Sequence, residues 1–325
     1  MAVKSSVAFR RTSGYLLALM QISLSHRFEQ LTLRLVRGLV LLLGIERGAR
    51  FMGWVWRTFA PWTKRHNRAL SQLEASIPEL SADDRQKIVR SMWHGLGQTF
   101  AEGLVLDHLG AMKGCVHIEN PEAIEQAPTS QAESDKPRGL ILVSMHSGNW
   151  ETFGISVEQL GVHAAALYQS VANPLVDEEL RRQRTLYWRA GMITKGSSAM
   201  KRVVGLLRKG DGVGILADHR VSGSDVEVPF FGKLAPSTPL PASLALKTGA
   251  HLILGRCKRV GQTRYAVEVK HLIAEKTGDH EADVERVTAA IHAQFEAWIR
   301  ERPHEWMWAH RRWSREVRMP DRDKG

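Results

Sequence analysis

Residues 139–151 read Gly-Leu-Ile-Leu-Val-Ser-Met-His-Ser-Gly-Asn-Trp-Glu. The run 139–144 is a short, unbroken apolar stretch, the mark of a strand buried on both faces. A polar cluster follows at once, with His146, Gly148, Asn149 and Glu151 at the strand's end. Working outward, similar short apolar runs stand at 163–168, 212–217, 251–257 and 265–269, and helical patterning fills 175–190, 197–208, 239–248 and 281–302. Upstream, 64–110 reads as helical: Ser81-Ala-Asp-Asp84 supplies a cap and first-turn acids for a helix over 85–109, and Gly110 and Gly114 end it. Strands alternating with helices imply an α/β domain whose sheet is buried between helices, with reactive groups gathered where strands end. Two polar clusters occupy such ends, 146–151 and 218–220.

The first cluster has the residues for acid–base chemistry. His146 and Glu151 are five apart, so a straight helix would splay them, but a turn through Gly148 brings them together. A carboxylate on one imidazole nitrogen leaves the other free as a base. Asn149 is placed to cap the following helix. The competing reading is a satisfied buried histidine at a helix start. Elsewhere Lys195-Gly-Ser-Ser198 reads as a phosphate-binding helix start or an ordinary cap, with the cap favoured. No His-Glu-x-x-His, clustered Cys/His spacing, Walker loop, dinucleotide glycine pattern or Gly-x-Ser-x-Gly elbow is present, so no metal and no cofactor is expected.

The net charge of +11 is concentrated at one end. Residues 1–70 hold twelve Lys and Arg against Glu29 and Glu46, which places +10 in the first fifth of the chain. Between these cations lie apolar runs at 15–24 and 38–45, each short of the roughly 20 residues a spanning helix requires. At about 100° per residue, Arg27, Gln30, Arg34 and Arg37 share a narrow stripe, and Phe28, Leu33, Leu35, Val36, Leu39, Val40, Leu42 and Leu43 fill the rest. That is the pattern of a helix lying in a membrane interface, with Trp54, Trp56 and Trp62 suited to the headgroup layer. Arg34, Arg37, Leu39, Leu42, Trp54 and Trp56 are the expected membrane contacts. A signal peptide over 10–24 lacks a small-residue cleavage site. No nucleic-acid module is recognisable. Two cysteines, Cys115 and Cys257, outside any Cys-x-x-Cys pair, read as buried apolar residues in a reducing, cytosol-facing protein.

Several blocks, taken in order, resemble the lipid A biosynthesis acyltransferases of the lysophospholipid acyltransferase superfamily. They are His146-Ser-Gly-Asn-Trp-Glu151, Asn173-Pro-Leu-Val-Asp177, Leu216-Ala-Asp-His219, Val228-Pro-Phe-Phe-Gly232, Ala245-Leu-Lys-Thr-Gly-Ala250 and Trp306-Met-Trp-Ala-His-Arg-Arg-Trp313. Two departures stand out: Tyr168-Gln169 where the family has Tyr-Arg, and His219 where it has Gln. The resemblance implies a glycerolipid acyltransferase-like α/β fold with a mixed sheet. With the membrane-associating segment read from charge and pattern over 1–70, it places an acyltransferase domain over 71–325, comprising a helical lead-in (71–138), the α/β core (139–313) and a basic tail. His146 is then the general base oriented by Glu151, with Asn149, Asn173, Arg184, Asp218, His310 and Arg311 as candidate substrate contacts. Either Arg181, Arg184 or Arg189 replaces the missing cation, or the acceptor differs from a typical lipid A precursor. The implied reaction moves an acyl chain from acyl carrier protein or acyl-CoA to a hydroxyl of a glycolipid such as a lipid A precursor. The implied location is the cytoplasmic face of the inner membrane, on an anionic surface. A non-catalytic membrane-binding protein on the same scaffold and a thioesterase are the alternatives.

Overall fold

A computed structural model describes residues 22–125, 138–194, 196, 198–221 and 226–313. Lys195 and Ser197, most of the apolar run 15–24 and the tail beyond 313 lie outside the described residues.

The chain opens with α1 (Leu24–Leu43), capped by Ser23, whose hydroxyl accepts from the His26 N–H at 3.2 Å. Next come α2 (Ile45–Phe59), a 3₁₀ turn (Ala60–Trp62), α3 (Lys64–Ser76), α4 (Ala82–Leu104) and α5 (Leu106–Ala111). The Ser81 cap holds as read: its hydroxyl accepts from the Asp84 N–H at 3.1 Å, a bond worth about 1 kcal/mol. The core that follows is β1 (Val116–Glu119), α6 (Glu122–Glu125), β2 (Leu140–Ser144), α7 (Thr152–Gln159), β3 (Ala164–Tyr168), α8 (Pro174–Arg184), β4 (Gly191–Thr194), α9 (Ala199–Arg208) and β5 (Gly212–Leu216). A hairpin of β6 (Glu227–Phe230) and β7 (Lys233–Pro236) leads to α10 (Leu240–Thr248), β8 (His251–Gly261), β9 (Arg264–Leu272) and α11 (His280–Glu301).

Seven strands form one sheet in the order β1-β9-β8-β2-β5-β3-β4. All its pairs are parallel except β8–β9, so the sheet is mixed. β2 is at its centre and fully buried, as the apolar run 139–144 requires. Strands β1, β4, β6 and β7 were not foreseen from the sequence. Each is four residues long, and β6 and β7 carry Pro229 and Pro236, which argue against a strand in sequence.

One register determines the site. β2 and β5 are parallel neighbours with Ser144 opposite Leu216. Two residues past each partner stand His146 and Asp218, so the sheet itself brings together side chains 72 positions apart.

The closing segment is core. Trp306, Trp308 and Trp313 are buried, and Trp313 stacks on Phe230 at 5.8 Å. Phe230 and Phe231 are buried in the same aromatic cluster. The basic run 310–312 also contributes to this core through its last residue, Arg312. It is buried, donates to the Pro236 carbonyl (2.7 Å) and the Ser237 hydroxyl (2.6 Å), and lies over the Phe230 ring. Both cysteines are buried and unpaired with each other.

The N-terminal helices corrected part of the membrane reading. α1 presents a broad apolar surface outward, with Phe28 71% and Leu42 84% exposed. Arg37, however, faces inward: it pairs with Asp107 at 2.9 Å and donates to the Leu104 carbonyl, tying α1 to the core. Trp56 likewise turns inward, stacking on Phe100 at 5.5 Å. Trp54 and Trp62 are exposed. Among the described residues no helix is long and apolar enough to cross a membrane.

Candidate active site

The loop after β2 turns sharply at Gly148, where φ is +57°. A Cβ there would lie 1.9 Å from the Cys257 carbonyl oxygen, so only glycine fits. The loop is fastened on both sides. The Thr99 hydroxyl donates to the Gly148 carbonyl (3.0 Å), the Gly148 N–H donates to the Glu305 carbonyl (3.1 Å), and the Met307 N–H donates to the His146 carbonyl (3.1 Å).

Asn149 is fully buried, and its two polar atoms are both taken. Its amide donates to Glu102 at 2.9 Å, and its oxygen accepts the Glu151 N–H at 3.1 Å. Glu102 is in turn clamped by Arg259 through bonds of 2.8 and 2.7 Å. Asn149 is therefore a loop brace: α7 begins at Thr152 with Glu151 in the cap position and no side-chain capping bond, so both the expected helix cap and the expected substrate contact are corrected. As a substrate contact, Asn173 is corrected too. Its oxygen caps α8 by accepting from Leu175 and Val176, and its amide donates to the His26 carbonyl and Glu29 of α1.

The expected His146–Glu151 bond is replaced by another. The carboxylate on His146 belongs to Asp218, with Oδ1 2.8 Å from Nδ1 and Oδ2 accepting the His146 backbone N–H at 3.0 Å. Trp306 donates its indole N–H to the same Oδ2 at 2.9 Å. Asp218 is 4% exposed. Burial opposes its charge, but the adjacent His146 and these donors hold its carboxyl far below the usual carboxylate range. With Nδ1–H given to Asp218, the network assigns the free lone pair of His146 to Nε2.

Glu151 is bound instead by Arg184 through two bonds, 2.9 Å from Nε and 2.6 Å from Nη2. Burial pushes the Glu151 carboxyl up, and the Arg184 charge outweighs it and keeps the group ionised. The physical reason for the exchange is position: α8 delivers a guanidinium to Glu151, while the β5 end delivers a carboxylate to His146. Of the three candidate replacement cations, only Arg184 is here. Arg181 pairs with Glu178, and Arg189 with Glu158, both at exposed positions.

His146, Glu151 and Arg184 line the polar end of a cavity of about 190 Å³. Phe153, Leu167, Trp188, Met192 and Ile215 make its apolar wall. The Trp188 ring fits because Gly154 and Gly214 leave room for it; a Cβ on Gly214 would lie 2.3 Å from the ring. The buried Ser144 hydroxyl, also on the wall, has no hydrogen-bond partner among the described residues.

Two further imidazoles crowd the His146 ring. His219 Nε2 is 2.9 Å from His146 Nδ1 and 3.2 Å from its Nε2, and the His310 ring is 4.7 Å from that of His219. Burial first, then the His146 charge, lower the His219 pKa. Arg311 is exposed and lies near Arg68. The grouping of His146, Asp218 and His219 within 4.8 Å is also a donor set able to hold a metal ion, which linear spacing did not disclose.

A histidine–carboxylate pair at adjacent parallel strand ends, beside a largely apolar-walled cavity, stands where α/β folds gather their functional groups. The chain belongs to the bacterial lipid A biosynthesis acyltransferase family, whose model matches residues 35–315. It is also similar to a phosphatidylinositol mannoside acyltransferase of Mycolicibacterium smegmatis, 28% identical over 185 residues, covering 55% of this chain and 58% of the relative. A protein of the same description from Mycobacterium tuberculosis H37Rv is 28% identical over 182 residues, covering 54% of each chain. The chain thus spans little more than half the length of the curated relatives it matches.

Proposed function

We propose that this protein is an O-acyltransferase that moves an acyl chain from an acyl thioester to a hydroxyl of a membrane glycolipid. The observation that carries the reading is the His146–Asp218 pair at the mouth of an apolar-walled cavity. Asp218 fixes the His146 tautomer and balances the imidazolium that forms. His146 Nε2 takes the proton of the acceptor hydroxyl as that oxygen attacks the thioester carbonyl. The tetrahedral oxyanion forms beside Arg184, which is bound to Glu151 through Nε and Nη2 and supplies the cavity's positive charge. Glu151 keeps that guanidinium in place. Collapse of the intermediate expels the thiolate, and the His146 proton neutralises it, so no covalent acyl-enzyme is needed.

The acyl donor is an acyl carrier protein or acyl-CoA. The acceptor is a lipid A precursor or another sugar-bearing lipid, including the phosphatidylinositol mannoside class suggested by the relatives' names. The site of action is the cytoplasmic face of the inner membrane. The exposed apolar surface of α1 and the basic charge of 1–70 support peripheral attachment to an anionic surface.

The test is incubation of purified protein and its His146→Ala variant with acyl carrier protein or CoA thioesters radiolabelled in the acyl chain, and with glycolipid acceptors. Label transferred to glycolipid by the wild type, and lost in the variant, is the expected result. Release of free fatty acid alone would identify a thioesterase instead. Absence of turnover with every donor and acceptor would leave a non-catalytic lipid-binding protein.

A further inference from the structure

We propose that His146, Asp218 and His219 form a zinc site that, when filled, switches the catalytic base off. The inference rests on the functional reading above for its consequence but on geometry for the site itself. Asp218 Oδ1 is 2.8 Å and His219 Nε2 is 2.9 Å from His146 Nδ1, and one ligand atom from each residue falls within a 4.8 Å sphere of mutual distances. Nitrogen and oxygen ligands about 2.0–2.2 Å from a tetrahedral zinc are separated by little more than these spacings. Small outward rotations of the two rings therefore admit the ion.

The donor types suit the metal. Two neutral imidazoles and one carboxylate form a three-ligand set of the kind that leaves a fourth position open. The His310 ring is 4.7 Å from that of His219 and 6.3 Å from that of His146. The carboxylate is already aimed. Trp306 and the His146 backbone N–H both hold Asp218 Oδ2, which leaves Oδ1 directed at the imidazoles. His146 and His219 are only partly buried, so the site opens to solvent beside the cavity.

Filling the site changes the chemistry of one ring. The Nδ1 lone pair of His146 goes to the ion, and the imidazole proton resides on Nε2. The atom that must accept the hydroxyl proton then carries one, and Asp218 is spent as a ligand. No electrons are transferred, and removal of the ion restores the original tautomer. His219 is the residue that creates the site, because it supplies the second imidazole of the three-ligand set.

The experiment uses the full chain, stripped with a chelator and titrated with zinc sulfate against a chromophoric chelator. Expected are one tight site per chain, affinity lowered at least about tenfold in His219→Gln, and unchanged affinity in His163→Gln, whose exposed His163–Asp211 pair lies elsewhere. Cobalt binding with the strong visible absorption of a four-coordinate ion confirms the ligand set without reference to activity, and circular dichroism confirms that the variant is folded. Acyl transfer by the wild type should fall as zinc fills this site and recover with chelator. Equal zinc affinity in wild type and His219→Gln, or full transfer activity with the site saturated, would overturn the proposal. If the binding results hold while no acyl transfer is found for the metal-free protein, it is the functional reading that fails.

Discussion

At the residue scale, one exchange of partners organises the site. His146 and Glu151 are five apart and were read as a pair, yet each is held by a residue from a different strand end or helix: His146 by Asp218, Glu151 by Arg184. The sequence disclosed the right chemical groups but not who bonds whom. Pairing across 72 residues depends on the β2–β5 register, which no local pattern states. Asn149 and Asn173 failed as substrate contacts for a related reason. Both precede helices, and an asparagine there spends its oxygen on backbone N–H groups. Gly148 was legible as a turn residue, and the reason it must be glycine, the Cys257 carbonyl, belongs to a strand more than a hundred positions away. Gly148→Ala should therefore abolish activity and lower stability by several times the ordinary ~1 kcal/mol cost of a point change; thermal unfolding and acyl-transfer assays check both. The inner wall offers a second prediction. Trp188→Ala should shift donor preference toward longer acyl chains, measured by competing thioesters of different length, because it removes the ring seated over Gly154 and Gly214.

At the element scale, the long, strongly patterned pieces were readable: β2, β3, β5, β8 and β9 and the helices α4 and α8 to α11 lie close to where apolar runs and caps put them. The four-residue strands were not, since four residues carry too little pattern, and β4, β6 and β7 also contain Gly191, Pro229 and Pro236. α11 carries a buried consequence. His292 is fully buried beside the aromatic cluster, and burial, together with the Arg312 charge, lowers its pKa to about 4. The unfolded chain has its histidines near 6.5 and so binds more protons than the folded one between pH 6.5 and about 4. Stability contributed by neutral His292 is present above pH 6.5 and is lost as pH falls through that window, at up to ~1.4 kcal/mol per pH unit. Denaturant unfolding at a series of pH values should show this slope, and a folded His292→Asn variant should show a shallower one.

At the scale of the whole molecule, charge and apolar surface are segregated. Nearly all the net charge lies in 1–70, and α1 and α2 carry Phe28, Leu35, Leu42, Trp54 and the following Trp62 on the outside. Arg37 and Asn173 fasten α1 to α4–α5 and α8, and α8 also carries Arg184 to the cavity. The exposed apolar surface of α1 is thus joined to the cavity through α8, whose cap Asn173 holds α1 and whose last residue, Arg184, lines the cavity. Sedimentation with vesicles should give binding that rises with anionic lipid content and falls with salt, and Leu42→Ser with Trp62→Ser should weaken it at least about tenfold, given roughly 1.5–3 kcal/mol for each large apolar side chain withdrawn from lipid. Binding indifferent to both changes would remove α1 from the interface.

The claim on which the rest depends is that His146 and Asp218 act as one unit, and a kinetic double-mutant cycle on acyl transfer tests it most directly. His146→Ala and Asp218→Asn should each lower kcat/KM by about 10²–10⁴, and the double variant should be no worse than His146→Ala alone, since a carboxylate with no imidazole to hold has nothing left to contribute. An Asp218→Asn enzyme that is folded and near wild type in rate, or losses that multiply in the double variant, would contradict the account.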